Sequence, residues 1–195
     1  MPVANFASVR HAEACADLYA EAGVPAIEIT LRTPDAWEYV AIFRKVMRRA
    51  IIGVGTVNTK EQLHTALNKA DFALSPGFLP DLLQNLPTDY PYIPGVASAS
   101  EIMQAQAAGF SNMKLFPASA VGGLNVLKAF AGPFPEVSFC PTGGVSAVNM
   151  ADYLELSNVP CVGGSWVVPS LKAIKSRHSD LLAELTSLYG GNRAY

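Results

Sequence analysis

The stretch VPAIEITLRTPDAWEYVAIFRKVMRRAIIGVG, residues 24–55, carries the fold in miniature. Val24 to Leu31 is an apolar, β-branched run of strand length. Pro34 then opens a helix, at a first-turn position where a missing N–H costs nothing. That helix runs to about Arg49, and Ile51 to Val54 reads as the next strand. Side chains in a strand alternate between two faces. Ile27, Ile29 and Leu31 share the face that suits packing against helices. Glu28, Thr30 and Arg32 share the other.

The same alternation extends in both directions. Pro2 to Phe6 is a strand and Val9 to Ala22 a helix that Gly23 ends. After Val54, Thr59 to Ala70 is a helix whose Thr59 and Gln62 form a capping box. Phe72 to Ser75 is a strand, with a short helix from Pro80 to about Leu86. Tyr90 to Ile93 and Ser98 to Ala108 follow, then Asn112 to Leu115 and Leu124 to Ala131. Val137 to Cys140 and Ser146 to Leu156 form the next unit. Val159 to Val162 and a helix from about Leu171 to Leu188 close the chain.

Eight strand–helix units imply a parallel sheet covered by helices and closed into a (β/α)8 barrel. A single α/β domain over residues 1–195 is expected, compact beside the typical barrel of about 250 residues. An open doubly wound sheet fits less well, because the first turn, Ala7-Ser8, lacks the glycines of that fold.

Composition narrows the function. The chain has 195 residues, is 50% hydrophobic and only 15% charged, with a net charge of −2. That argues against a broad nucleic-acid footprint. No run approaches the length of a membrane span, and Met1-Pro2-Val3 begins no basic and apolar leader, so a cytoplasmic location is expected. Cys15, Cys140 and Cys161 form no paired motif. His11, His64 and His178 show no metal-ligand spacing, so no metal site is expected.

In a barrel, chemistry sits at the C-terminal ends of the strands. The second strand places Glu28 deep and Arg32 near the mouth, about 13 Å higher. In Asn112-Met113-Lys114-Leu115-Phe116-Pro117, Lys114 is the sole lysine within an expected strand. Burial among Met113, Leu115 and Phe116 favours the free amine, which is the nucleophile, over the ammonium. Thr56 follows Gly53-Val54-Gly55, and Pro76 lies in Ser75-Pro76-Gly77. The last two strands end in Thr142-Gly143-Gly144 and Gly163-Gly164-Ser165. Paired glycines there expose backbone N–H groups to an anion, and loops at these positions often hold phosphate.

These segments resemble one family over nearly the whole chain. Glu-Ile-Thr-Leu-Arg-Thr (28–33), Gly-Val-Gly-Thr-Val (53–57), Ser-Pro-Gly (75–77) and Ile-Pro-Gly-Val (93–96) carry the first half of the match. Lys-Leu-Phe-Pro-Ala (114–118), Ala-Gly-Pro-Phe (131–134), Cys-Pro-Thr-Gly-Gly-Val (140–145) and Gly-Gly-Ser-Trp (163–166) carry the second. The chain resembles the 2-keto-3-deoxy-6-phosphogluconate aldolases, a group that also acts on 4-hydroxy-2-oxoglutarate.

The resemblance implies a class I aldolase of the Entner–Doudoroff pathway. It would cleave the phosphorylated 2-keto acid to pyruvate and glyceraldehyde 3-phosphate, without cofactor or metal, as a homotrimer. It implies Lys114 as the Schiff-base lysine and Glu28 as acid/base. Arg32 and Thr56 would hold the substrate carboxylate, and Phe116 would pack beside the imine. Pro76 would belong to the substrate site. Thr142, Gly143, Gly144, Gly164 and Ser165 would line the phosphate end. Alternatives are 2-keto-3-deoxy-6-phosphogalactonate or 4-hydroxy-2-oxoglutarate as substrate, and, outside aldolases, a phosphate-binding barrel isomerase.

Three positions depart from the family pattern. Relatives usually carry a helix ahead of the first strand, whereas here Met1 stands almost on it. Asn5 lies in the first strand, and Ser119 stands where many relatives have Glu.

Overall fold

The computed structural model describes residues 1–84 and 86–190. The strands are β1 Val3–Ala4, β2 Ala26–Thr30, β3 Ile51–Gly55, β4 Phe72–Leu74, β5 Tyr92–Ile93, β6 Gly95–Val96, β7 Asn112–Leu115 and β8 Ser138–Pro141. The helices are α1 Val9–Ala22, α2 Ala36–Val46, α3 Lys60–Lys69, α4 Ala99–Ala107, α5 Gly123–Ala131, α6 Met150–Leu154 and α7 Leu171–Tyr189. Short 3-10 turns cover Pro80–Leu83 and Ala118–Val121.

All strand pairings are parallel. β1 to β5 form one ladder in chain order, and β6 to β8 another. β5 and β6 are two halves of one barrel strand. Pro94 separates them, and its carbonyl accepts from Lys114 N at 2.8 Å. Two bridges close the ring: Thr142 pairs with Gly163, and Pro2 pairs with Gly164. The segment around 163–164 therefore sits between β8 and β1 as the eighth strand. The result is the expected closed (β/α)8 barrel.

That eighth strand is thinner than the expected run from Val159 to Val162. Pro160 has no N–H to donate. The bonds Phe139 N to Asn158 O and Gly163 N to Pro141 O fit two different registers, so the segment bulges between them. Met1 completes the pairing. Its amino group donates to Val162 O at 2.7 Å, and its carbonyl accepts from Gly164 N at 3.1 Å.

Local signals explain most helix ends. Ser8, Thr59, Ser98 and Ser170 each accept from a backbone N–H in the first turn, and Thr59 with Gln62 forms the full capping box. Gly23 terminates α1 at φ 70°, where the left-handed backbone favours glycine. Other ends shifted. Pro34 precedes the Asp35 cap of α2 instead of lying inside the helix. Ser146 begins a turn closed by Asn149, so α6 starts only at Met150. In the expected helix 80–86 only Pro80–Leu83 is wound, and residue 85 lies outside the described residues.

Two apolar clusters hold helices to the barrel. Phe6, Tyr19, Phe43, Ile27 and Ile29 anchor the one under α1, α2 and α7. Met113, Leu115, Leu127, Phe130 and Phe139 anchor the one under α4 and α5. Ile27 and Ile29 thus face the helices, as the alternation of β2 requires, which turns Glu28 and Thr30 inward.

Candidate active site

Glu28 and Lys114 meet inside the barrel. Lys114 Nζ donates to Glu28 Oε1 at 2.8 Å, and the two side chains are 5% and 0% exposed. Burying both charges is costly in water-free surroundings, so each holds the other in place. Glu28 Oε2 is buried with no hydrogen-bond partner among the described residues. An unpaired buried acceptor is unfavourable for folding and points to a ligand group that satisfies it.

Backbone register explains how the pair fits. Glu28 pairs with Val3 on one side and Gly53 on the other, and Lys114 pairs with Gly95 and Cys140. Any side chain at Gly55 would overlap the Glu28 carboxylate, and any at Gly95 would overlap the Pro76 backbone. Gly55 thus clears space for the Glu28 side chain, and Gly95 lets the backbone after β4 approach closely.

Above the pair opens a cavity of about 380 Å³ at the mouth. Thr30, Arg32, Phe116, Thr142, Gly143, Gly144, Gly164 and Ser165 are on its wall. Phe116 connects the levels, because Lys114 Nζ sits 5.4 Å from its ring centroid. Thr56 joins through Arg32, whose Nε donates to Thr56 Oγ1 at 3.2 Å. Thr56 has φ 61°, a left-handed backbone that is strained for a β-branched residue. Pro76 is not on the cavity wall and packs on Gly95 instead.

The glycine end has the character of an anion site. Gly143 and Gly144 have φ of 96° and 80°. Only glycine adopts such backbone freely, and with no side chain beside them the peptide groups here are open to an anion. The N–H groups of Gly144 and Ser165 donate to nothing among the described residues, while that of Gly143 is turned to Gly163 O across the Thr142–Gly163 bridge. Gly164 differs: its N–H is spent on Met1 O, and a side chain there would collide with the Trp166 ring. Its contribution is space. Ser119 packs on Gly144, so the departure from Glu falls beside this end of the cavity.

Sequence reasoning missed Asn5, His11 and Ser170 on the same wall. The alternation of the first strand, with Ala4 and Phe6 buried outward, was the signal available for Asn5. Two thiols lie close together beside the Lys114–Glu28 pair, Cys140 in register with Lys114 and Cys161 beyond it on the next strand segment. The hydrogen bond from Cys140 lowers Cys161 to about 7, while the same bond, with burial, pushes Cys140 well up. Burial pushes Cys15 up to about 12.

A parallel barrel with a buried amine–carboxylate pair beneath a mouth lined by anion-binding groups defines a class: barrel enzymes equipped for covalent amine chemistry on small anionic carbonyl compounds. Comparison with known proteins gives the family. The family described as KDPG and KHG aldolase matches residues 1–185. A 2-dehydro-3-deoxy-phosphogluconate aldolase of Pseudomonas aeruginosa is 46% identical over 164 residues, covering 83% of this chain and 74% of the relative. A KDPG aldolase from Legionella pneumophila, solved with pyruvate captured as a covalent carbinolamine, superposes with TM-score 0.86 at 42% identity, covering 96% and 91% of the two chains. The Zymomonas mobilis ZM4 aldolase with 3-phosphoglycerate superposes with TM-score 0.88 at 36% identity, covering 100% and 92%. The chain belongs to the KDPG and KHG aldolase family.

Proposed function

We propose that this protein is a class I aldolase that cleaves 2-keto-3-deoxy-6-phosphogluconate to pyruvate and glyceraldehyde 3-phosphate. The observation that carries the reading is the buried contact of Lys114 Nζ with Glu28 Oε1, with Oε2 left free. Lys114 attacks C2 of the keto acid, and Glu28 is within reach to accept the proton the amine must lose. Glu28 passes that proton to the carbinolamine hydroxyl, which leaves as water, so that an iminium forms and Glu28 is a carboxylate again. Electrons from the C3–C4 bond flow into it as Glu28, directly or through one water, takes the proton of the C4 hydroxyl. Glyceraldehyde 3-phosphate departs. Glu28 returns a proton to C3 of the enamine, and hydrolysis frees pyruvate.

Arg32 and Thr56 hold the C1 carboxylate, for which a guanidinium fork is well shaped. Phe116 covers the imine. Gly144 and Ser165 receive the phosphate through free N–H groups, with Thr142, Gly143 and Gly164 shaping the wall. Pro76 acts from behind Gly95. The captured pyruvate of the Legionella relative and the phosphate-bearing ligand of the Zymomonas relative support the two ends of this assignment.

The same reading takes residues 1–195 as one domain in a cytoplasmic homotrimer. Among the described residues no helix is long and apolar enough to cross a membrane. Light scattering of the purified protein tests the trimer. For the reaction, pyruvate release is followed from 2-keto-3-deoxy-6-phosphogluconate, its C4 epimer and 4-hydroxy-2-oxoglutarate. The first is expected to give the highest kcat/KM. Absence of pyruvate from all three rejects the reading, and preference for either of the others reassigns the substrate.

A further inference from the structure

The wall between the two ends of the cavity contains a polar group that the reaction above does not use. Asn5 follows β1, and β1 pairs with β2 so that Val3 faces Glu28 and Ala4 faces Ile29. One step on, Asn5 is level with Thr30, about 7 Å above Glu28 along the strand direction. Ala4 and Phe6 are buried against the helices, so Asn5 has the opposite orientation and lines the cavity.

Its neighbours are already committed. Thr30 Oγ1 donates to Ala4 O at 3.0 Å, and Thr142 Oγ1 donates to Cys140 O at 3.4 Å. His11 Nε2 is 2.8 Å from Pro169 O, and its Nδ1 faces Ala7 N at 3.5 Å. With Nε2 protonated, both ring nitrogens are occupied. The Asn5 carboxamide hydrogen-bonds nothing among the described residues, and it is exposed to the cavity. It offers one acceptor and two donors above Glu28, on the wall it shares with the glycine end.

We propose that Asn5 is a specificity residue that hydrogen-bonds the C5 hydroxyl of the substrate. The inference rests on the aldolase reading. With C2 at Lys114, the C4 hydroxyl at Glu28 and the C6 phosphate at Gly143 and Gly144, C5 is the remaining carbon bearing a free polar group. A hydroxyl both donates and accepts, and a carboxamide answers both. A site that pairs a hydroxyl discriminates against the analogue lacking it. Asn5 touches neither reacting bond, so its effect falls on choice of aldehyde and leaves imine formation alone.

The test runs the reaction in the synthetic direction. Pyruvate is condensed with D-glyceraldehyde 3-phosphate, whose C2 hydroxyl becomes the C5 hydroxyl, or with 3-oxopropyl phosphate, which lacks it. Wild-type protein is expected to favour the hydroxylated aldehyde in kcat/KM by roughly ten-fold, the value of one good hydrogen bond. Asn5→Leu, of similar size, is expected to lose that preference by slowing the hydroxylated aldehyde alone. Asn5→Ser, which keeps a donor and acceptor, recovers part of it. Borohydride trapping of pyruvate is expected to be unchanged in both variants. Equal rates for the two aldehydes in wild type, or an unchanged ratio in Asn5→Leu, overturn the proposal while leaving the aldolase intact. Failure of wild-type protein to trap pyruvate overturns the aldolase reading and this proposal together.

Discussion

Gly55 stands against the Glu28 carboxylate so closely that a single methyl group at this position would occupy the space of Oε1. The two residues lie on neighbouring strands, β2 and β3, and the absence of a side chain on one lets the other extend toward Lys114.

Gly55→Ala is therefore expected to displace Glu28 from Lys114. A positioned acid–base group contributes about 10²–10⁴ in rate, so cleavage should fall by roughly 100-fold. Overpacking should also cost about 1–3 kcal/mol of stability. Steady-state cleavage and thermal unfolding of the variant check both. Near-normal kcat means that the Glu28 position does not control turnover.

Thr56 separates strain from binding. Its φ of 61° is unfavourable for a β-branched side chain, while its hydroxyl accepts from Arg32. Thr56→Gly relieves backbone strain worth about 1–3 kcal/mol, offset in part by the greater chain entropy of glycine, about 0.5–1 kcal/mol. Stability should hold or rise. The KM for substrate should rise, because Arg32 loses the group that orients it. A variant that is less stable and binds substrate normally contradicts this division of roles.

Thiol chemistry should single out Cys161. It is exposed and lowered to about 7, whereas Cys15 is pushed up to about 12 and Cys140 well above its ordinary value. Iodoacetamide should label Cys161 first, with a rate that is half-maximal near pH 7 and falls at lower pH. A thiol lowered in the fold favours folding above its unfolded range, and that contribution disappears as pH falls through about 7. Peptide mapping across pH 5–9 tests the assignment, with Cys161→Ser as the control that removes the fast phase.

Much of the site was legible because strands impose a two-residue period. Glu28 between Ile27 and Ile29, and Lys114 between Met113 and Leu115, are assigned inward by the alternation alone. The eighth strand was not legible at its true place, because an apolar run at 159–162 says nothing about Pro160 lacking an N–H or about the bulge beside it. The α6 boundary was hidden by Ser146, which resembles a helix cap but closes a turn with Asn149. The roles of Gly55 and Gly164 required the third dimension, since what each glycine makes room for, Glu28 or Trp166, is decided by packing. The free N–H of Gly144 was half legible: paired glycines announce an exposed backbone, but not that Gly143 turns its N–H to Gly163 or that Gly164 spends its own on Met1.

The central claim is that Lys114 is the covalent centre and Glu28 its acid/base partner. Borohydride reduction in the presence of pyruvate, followed by peptide mapping, tests it most directly. Wild-type protein and Glu28→Gln are expected to carry the reduced pyruvate adduct on Lys114, with cleavage by Glu28→Gln slowed by about 10²–10⁴. Lys114→Ala is expected to carry none. An adduct on another lysine, or the same adduct yield in Lys114→Ala, contradicts the account.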